Sequence, residues 1–300
     1  MKKKVMFIGA GLTIGSALLV TSAFANMGGA DGYEAYKSAI KQTASVASAT
    51  HGITLSVQDN GNELISATTT VKSSETDGGV SGQAVIRAGA EPQTFDFYDQ
   101  AGEQVFKAGG SDTYYVGSNA DWSDRRDHAP KDAAFGKEME NVVDALVGNL
   151  KNQVALSRSS DGGQTVDLKL TGSQIPAAAN IIGSILAKQA MNAHPEQAGQ
   201  GTPGSNPFGL DVRQIAAALP KLTDDIKIAE VALHAEIDGS NYLSSQKVDF
   251  TITGKDASGL AHKVVVGADM ALSNIDATTP DRIDLSGKKT EAMKEWHRGR

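Results

Sequence analysis

Three runs of alternating apolar and polar residues between Ile226 and Leu272 constrain the fold of this chain more than any other feature. Successive strand residues point to opposite faces of a sheet, so each run predicts a strand with one apolar face. Turn sequences at 238–241 and 255–259 separate the runs, which predicts an antiparallel meander. The apolar members are Val231, Leu233, Ala235 and Ile237, then Val248, Phe250 and Ile252, then Val264, Val266, Ala268, Met270 and Leu272. An apolar face of this kind must be buried, either against other elements of the protein or against a bound molecule.

The first third of the chain predicts one amphipathic helix followed by hairpins. Apolar residues recur at helical spacing over residues 31–49, and His51-Gly52 follows as a helix end. Turn signals at 59–61 and 76–79 separate about six short antiparallel strands that reach Val116. The apolar positions of the helix are Tyr33, Tyr36, Ile40, Ala44 and Ala47.

The middle of the chain predicts three further helices. Apolar stripes at helical spacing lie over residues 139–150, 178–191 and 207–219, and a strand ending at Thr171-Gly172 precedes the second stripe. Residues 194–206 are rich in Gly, Pro, Gln and Ser, which predicts a flexible loop. The fold class that follows is α+β, with a curved antiparallel sheet, or unclosed β-barrel, and helices packed on its concave face.

The N-terminus predicts that the body of the protein lies outside the cytoplasm. Lys2, Lys3 and Lys4 precede an uncharged apolar run of 16 residues, and Ala23-Phe24-Ala25 follows. This is the pattern of a signal peptide cleaved between Ala25 and Asn26. Without cleavage, the 21 residues of 5–25 are long enough to span a bilayer as an anchor.

These features divide the chain into three parts. Residues 1–25 form the signal peptide or anchor, residues 26–279 one α+β domain that includes the loop 194–206, and residues 280–300 a basic C-terminal tail. A glycine turn after Val5-Met6-Phe7-Ile8 resembles a dinucleotide-binding motif. However, no second strand ending in an acidic residue follows it, and hairpins replace βαβ units. The sequence therefore predicts no cofactor.

Composition excludes several classes of function. The chain has 300 residues, a formal net charge of -7 and no basic stripe interleaved with aromatic residues, which argues against a nucleic-acid partner. It contains no cysteine, so disulfides, thiolate metal sites, cysteine nucleophiles and a lipid-modified cysteine are excluded. The sequence makes no prediction about oligomeric state.

The short chemical motifs do not add up to an active site. Ser38-Ala39-Ile40-Lys41 has the S-x-x-K form of penicillin-binding enzymes, but no K-T-G element follows. An acidic loop with one histidine also contains Arg125, Arg126 and Lys131, which would repel a metal cation; its possible ligands are Asp124, Asp127, His128 and Asp132. We predict a chain with no metal site and no catalytic residues.

The order of parts resembles the LolA/LppX/RseB-like, lipoprotein-carrier-like group of extracytoplasmic proteins. The matching parts are a signal peptide, a helix such as Tyr33–Ala47, a long run of hairpins, the segment Leu170-Thr171-Gly172-Ser173-Gln174-Ile175-Pro176 before a helix, and a final meander. The resemblance implies an unclosed antiparallel barrel plugged by helices, with a cavity for lipid acyl chains or lipoproteins, or a role as an envelope-stress sensor.

The prediction for function is a non-enzymatic extracytoplasmic protein that binds an apolar ligand, a lipid acyl chain or a lipidated peptide. The alternative is a structural or regulatory partner of a membrane protein, with a fully plugged barrel and no ligand. The predicted cavity lining combines one helix with the meander: Ile181, Ile182, Ile185, Leu186, Val231, Leu233, Ile237, Phe250 and Ile252.

Overall fold

A computed structural model describes residues 31–88, 91–118, 153–175 and 218–293 of the chain. In chain order, its first elements are the helix α1 (Asp31–Thr43) and the strands β1 (Ser48–Asp59), β2 (Asn62–Ser74), β3 (Gly79–Arg87), β4 (Gln93–Gln100), β5 (Glu103–Ala108) and β6 (Thr113–Ser118). The later strands are β7 (Val154–Arg158), β8 (Gln164–Thr171), β9 (Leu222–Ile237), β10 (Leu243–Asp256), β11 (Ala261–Ser273) and β12 (Lys289–Ala292), and a 3-10 helix spans Gly172–Gln174.

All twelve strands belong to one sheet. Their spatial order is β12-β6-β5-β4-β3-β2-β1-β11-β10-β9-β8-β7. Every neighbouring pair is antiparallel except β12 and β6, which are parallel. The sheet is curved and does not close, so β12 and β7 are its two edges. The predicted curved, unclosed antiparallel sheet is thus confirmed.

The turn between β1 and β2 has the geometry that its sequence predicts. Asn60 and Gly61 have φ angles of 49° and 85°, and two successive positive φ angles define the type I′ turn, whose twist matches that of the flanking strands. The predicted meander is also present, as β9, β10 and β11 with turns at both predicted breaks. Strand β7 was not predicted.

Helix α1 packs on the β7–β10 end of the sheet. Tyr36 and Ala39 form a buried cluster with Val166, Ala235 and Ile237, and the Tyr36 hydroxyl donates a hydrogen bond to Gln246 Oε1. Helical spacing therefore identified the side of α1 that contacts the sheet.

The predicted end of this helix is wrong. The helix ends at Thr43, and both His51 and Gly52 lie within β1. The spacing of Ala44 and Ala47 suggested a longer helix, but β1 hydrogen-bonds to β2 on one side and to β11 on the other. A strand with two partners satisfies its backbone along its whole length, which outweighs a weak helical preference.

Packing of several helices on the concave face is not supported by the described residues, in which α1 is the one α-helix seen against the sheet. The predicted helices 139–150 and 178–191 lie outside the described residues, as does nearly all of 207–219. The predicted loop 194–206 also lies outside them.

A segment that we call the C-terminal strap, residues 274–288, crosses from β11 to the far edge of the sheet. The Thr278 hydroxyl lies 3.0 Å from that of Thr50, and Asp281 forms an ion pair with Lys72 at 3.0 Å. Further along, the Gln100 side chain accepts the backbone N–H of Ile283 at 2.9 Å and donates to its carbonyl at 2.7 Å. The strap leads into β12, so part of the predicted basic tail contacts the sheet.

Close packing across β2, β3 and β4 makes Gly82 a sensitive position. A methyl carbon added there would lie 2.4 Å from the Thr70 carbonyl oxygen and 2.4 Å from Phe97 Cζ. We expect Gly82→Ala to lower the free energy of unfolding by about 2 kcal/mol, because a backbone atom must move. Urea denaturation followed by circular dichroism measures this change.

Gly52 in β1 is the matched control for this experiment. A methyl carbon there comes no closer than 3.9 Å to the Cβ of Ala271, which is ordinary contact. Gly52→Ala should leave stability unchanged or raise it by about 0.5 kcal/mol, because it restricts the unfolded chain. Equal destabilisation by the two substitutions would contradict the close approach at Gly82.

Candidate functional site

One face of the sheet carries an apolar row that runs across six strands. Directly paired residues of neighbouring strands share a face, so the strand register defines the row. Its members, in spatial order from β2 to β8, are Ile65, Val57, Val266, Phe250, Val231 and Leu170. No charged or polar side chain interrupts this row, which we call the apolar row.

The centre of the apolar row is exposed. Phe250 and Val266 are paired across β10 and β11, and they retain 39% and 38% of their full exposure, whereas Leu170 at the β8 end retains 3%. The parallel row beside it contains Leu55, Ala67, Ala268, Val248, Leu233 and Leu168, and only Ala67 is buried. Two adjacent rows thus form an apolar strip with an accessible centre.

The meander residues predicted to line a cavity share this face. Val231 and Phe250 belong to the apolar row, Leu233 lies in the row beside it, and Ile252 pairs with Val264 and Ile228 towards the end of the strands. Ile237 retains 2% exposure and packs beneath α1 as core.

The remaining predicted site residues cannot be placed on this face. The helix positions lie outside the described residues, as does the predicted cleavage site between Ala25 and Asn26. The helix positions are Ile181, Ile182, Ile185 and Leu186.

A cluster of one histidine and two aspartates lies at the end of the same face. His262 is two residues before Val264 and four before Val266, so the three side chains share a face of β11. His262 Nδ1 lies 2.7 Å from Asp59 Oδ2, and its Nε2 lies 3.5 Å from Asp256 Oδ2. The imidazole is 11% exposed and joins the end of β1 to the turn between β10 and β11.

The electrostatics of this cluster favour a charged network. The hydrogen bond to Asp59 raises the pKa of His262 above its ordinary value of 6.5. The Ser258 hydroxyl, assisted by the backbone N–H groups of Leu260 and Ser258, lowers the pKa of Asp256 to about 2. A protonated imidazole between two carboxylates stabilises the two turns that it connects.

Catalytic chemistry has little support in this cluster. Among the described residues, no serine or threonine hydroxyl is hydrogen-bonded to His262, which faces a carboxylate on each ring nitrogen. Ser38 is exposed on α1 and accepts a hydrogen bond from Asn241 Nδ2 at 2.9 Å. His234 is exposed on the opposite face of the sheet, 2.7 Å from Asp167.

The described part of the chain contains no group of three or more His, Asp or Glu side chains arranged to hold a metal ion. The acidic loop that contains Asp124, Asp127, His128 and Asp132 lies outside that part, so the absence of a metal site there stays a prediction from the sequence.

The contact between His262 and Asp59 was not predicted, because 203 residues separate the partners. One signal for it is present in the sequence. The alternation that places Val264 and Val266 on the apolar face also places His262 there, and a titratable side chain on such a face needs a polar partner. The identity of that partner depends on the pairing of β1 with β11.

Comparison with known proteins gives no relative from which a site could be transferred: no protein-family model matches the chain, and no curated protein matches it. Within the described ranges, no helix is both long and apolar enough to span a bilayer.

The charged network predicts a pH-dependent stability. A raised pKa in the folded state means that the contribution of His262 is fully present below its unfolded value of 6.5, and is lost as pH rises through the folded value. We expect His262→Asn to lower the free energy of unfolding by about 2 kcal/mol near pH 6, and by less near pH 8.5. Urea denaturation of both proteins at the two pH values measures the difference.

The control for this prediction is His234→Asn, which removes the side-chain contact with Asp167. Both partners are about half exposed, so we expect a loss of less than about 0.5 kcal/mol at either pH. If wild type and His262→Asn lose stability in parallel between the two pH values, the proposed protonated network is wrong.

Proposed function

We propose that this protein is an extracytoplasmic, non-enzymatic binding protein for the acyl chain of a lipid or a lipidated peptide, acting as a carrier or an envelope sensor. The observation that carries the proposal is the apolar strip with Phe250 and Val266 exposed side by side at its centre. Large apolar side chains that share one exposed patch mark a binding surface more often than isolated ones do.

The dimensions of the apolar row suit an acyl chain. Neighbouring strands are about 4.8 Å apart, so the six strands between Ile65 and Leu170 span about 24 Å. The hydrocarbon core of a bilayer is about 30 Å thick, so one lipid tail extends over about 15 Å. A single tail therefore fits along the row, perpendicular to the strands.

The chemistry of the row favours van der Waals contact over polar recognition. It contains aliphatic side chains and one phenylalanine, and it offers no side-chain hydrogen bond to a ligand. Covering a side chain that is about 40% exposed contributes about 1 kcal/mol through the hydrophobic effect. Several such contacts along one tail give useful affinity without selecting a particular head group.

The N-terminal segment and the resemblance to the lipoprotein-carrier-like group support an extracytoplasmic location. Lys2–Lys4 followed by the apolar run to Val20 and by Ala23-Phe24-Ala25 is the pattern of an exported protein. A curved, unclosed antiparallel sheet is also the architecture that the resemblance implies. Membership of that group is part of this proposal.

One observation favours the alternative, a structural or regulatory partner of a membrane protein. Helix α1 already covers part of the apolar face over β7–β10, where Tyr36 and Ala39 pack on Val166, Ala235 and Ile237. A face plugged along its whole length would have no room for a ligand. The two functions differ in whether the exposed centre of the strip takes up lipid.

Charge placed on the apolar row should abolish lipid binding. We expect Phe250→Glu and Val266→Glu to reduce uptake of a fluorescent fatty acid by at least about tenfold, because a carboxylate resists burial beside a hydrocarbon tail. Fluorescence titration of the purified chain measures uptake. Native mass spectrometry of protein prepared without detergent detects lipid that co-purifies.

Leu260→Glu is the matched control. Leu260 is also a large exposed apolar residue, at 60% exposure, but it lies in the turn between β10 and β11 rather than in the row. This variant should bind the fatty acid as wild type does. Wild-type protein without co-purified lipid and without fatty-acid uptake would eliminate the lipid-binding proposal in favour of the protein-partner function.

A further inference from the structure

A second site lies close to the ends of β9, β10 and β11, where Lys227, Thr253 and Lys263 point away from the apolar face of the sheet. It is an open pocket of about 340 Å³. Three of its nine lining residues are lysines, and we call it the lysine pocket. The lining comprises Asn60, Asp225, Lys227, Thr253, Gly254, Lys255, Ala261, His262 and Lys263.

Lys227, Thr253 and Lys263 lie in one cross-strand row of this pocket. Thr253 is paired with Lys227 on one side and with Lys263 on the other. Strands are about 4.8 Å apart, so the two lysines flank the threonine with their Cα atoms about 10 Å apart. Like charges on one face of a sheet repel each other, and an anion held between them relieves that repulsion.

Among the described residues the two flanking ammonium groups form no direct ion pair, although Lys227 adds to the effect of Lys255 in lowering the pKa of the Asp225 carboxyl. Lys255 is paired with Asp225 at 2.7 Å, but neither Lys227 nor Lys263 forms an ion pair with any of the described residues. The nearby His262 is bound to Asp59 and Asp256, so its charge is balanced within its own cluster. In a chain with a formal net charge of -7, this pocket is a local centre of positive charge.

Thr253 adds a hydroxyl group between the two charges. Its Oγ1 is buried and is one of the few buried side-chain oxygens without a hydrogen-bond partner in the described residues. The side chain of Asn60, in contrast, is occupied: its Oδ1 accepts the Lys263 N–H at 3.1 Å, and its Nδ2 donates to the Ala261 carbonyl at 3.4 Å. Both polar atoms of the Asn60 side chain are therefore hydrogen-bonded, whereas the Thr253 hydroxyl has a hydrogen-bond donor that no described residue accepts.

We propose that the lysine pocket binds a phosphate group, through the ammonium groups of Lys227 and Lys263 and the hydroxyl of Thr253. Three donors match the several oxygens of a tetrahedral phosphate better than the two of a carboxylate, and lysine binds phosphate as a point charge. The group is either inorganic phosphate or the phosphate of a lipid head group. This site goes beyond the proposed binding of an acyl chain. Phosphate binding at the lysine pocket can be tested independently of lipid binding at the apolar strip.

The test is a titration of the purified full chain with inorganic phosphate at low ionic strength, where screening is weak. Binding is followed by amide chemical shifts and by calorimetry. We expect saturable 1:1 binding with shifts at Thr253 and Lys263. Lys227→Gln with Lys263→Gln should weaken it by at least about tenfold, and Thr253→Val by a smaller factor, because charge-assisted contacts are the stronger ones.

Lys169→Gln is the control, since Lys169 is an exposed lysine of β8 that is paired with Glu230. It should leave phosphate binding unchanged. Wild-type protein without saturable binding, or equal loss in the control and in the double variant, would overturn the proposal.

Two further measurements identify the source of the phosphate and separate this site from the apolar strip. Flotation with vesicles of phosphatidylglycerol, with phosphatidylcholine vesicles as reference, shows a head-group site if binding requires Lys227 and Lys263. Phosphate binding without such flotation shows a site for the free ion. Fatty-acid uptake by the double variant should equal that of wild type, so a failure of either proposal is recognised independently.

Discussion

The fold depends on the backbone pairing of β1 with β11. This ladder joins residues such as Ile53 and Met270, more than 200 positions apart, and it is the seam between the β2–β6 half of the sheet and the β7–β10 half. Without it, each half would expose a long strand edge with unpaired amide and carbonyl groups. The seam also creates both candidate sites: it continues the apolar row from β11 to β1, and it brings Asp59 to His262 and Asn60 to Lys263.

Local sequence patterns correctly predicted the structural features that depend on residues close together in the chain. Alternation over β9, β10 and β11 identified three strands and the face of Val231 and Phe250, and the turn signal at residues 59–61 identified a hairpin. The end of α1 was missed because Ala44 and Ala47 satisfy a helical pattern, while the strand that replaces it is stabilised by partners far away in sequence. Two further contacts were missed for the same reason, namely the ion pair of His262 and the row Lys227-Thr253-Lys263. Periodicity predicts which face of the sheet a side chain occupies, but only the strand register determines its neighbours on that face.

The two faces of β10 and β11 carry different side chains: apolar residues lie on one face and lysines lie on the other, only a few residues apart along each strand. Phe250 and Val266 point to the apolar side, whereas Thr253 and Lys263, three positions away along each strand, point to the side with the lysines. His262 lies near the strand ends between these regions, where a titratable group tolerates partial burial because two carboxylates balance it. An amphiphilic ligand and a sheet organised in this way present the same division, with hydrocarbon on one side and charge on the other.

The parallel pairing of β12 with β6 has a consequence for the order in which the protein is completed. Strand β6 (Thr113–Ser118) has β5 on one side, and its other side is covered by Lys289–Ala292, which follow it by more than 170 residues along the chain. A ribosome or an export channel that releases earlier residues first therefore leaves this edge of β6 open until β12 emerges. Open edges pair readily with other chains, so the interval between the emergence of β6 and that of β12 is the one in which this edge is most prone to aggregate or to need a chaperone.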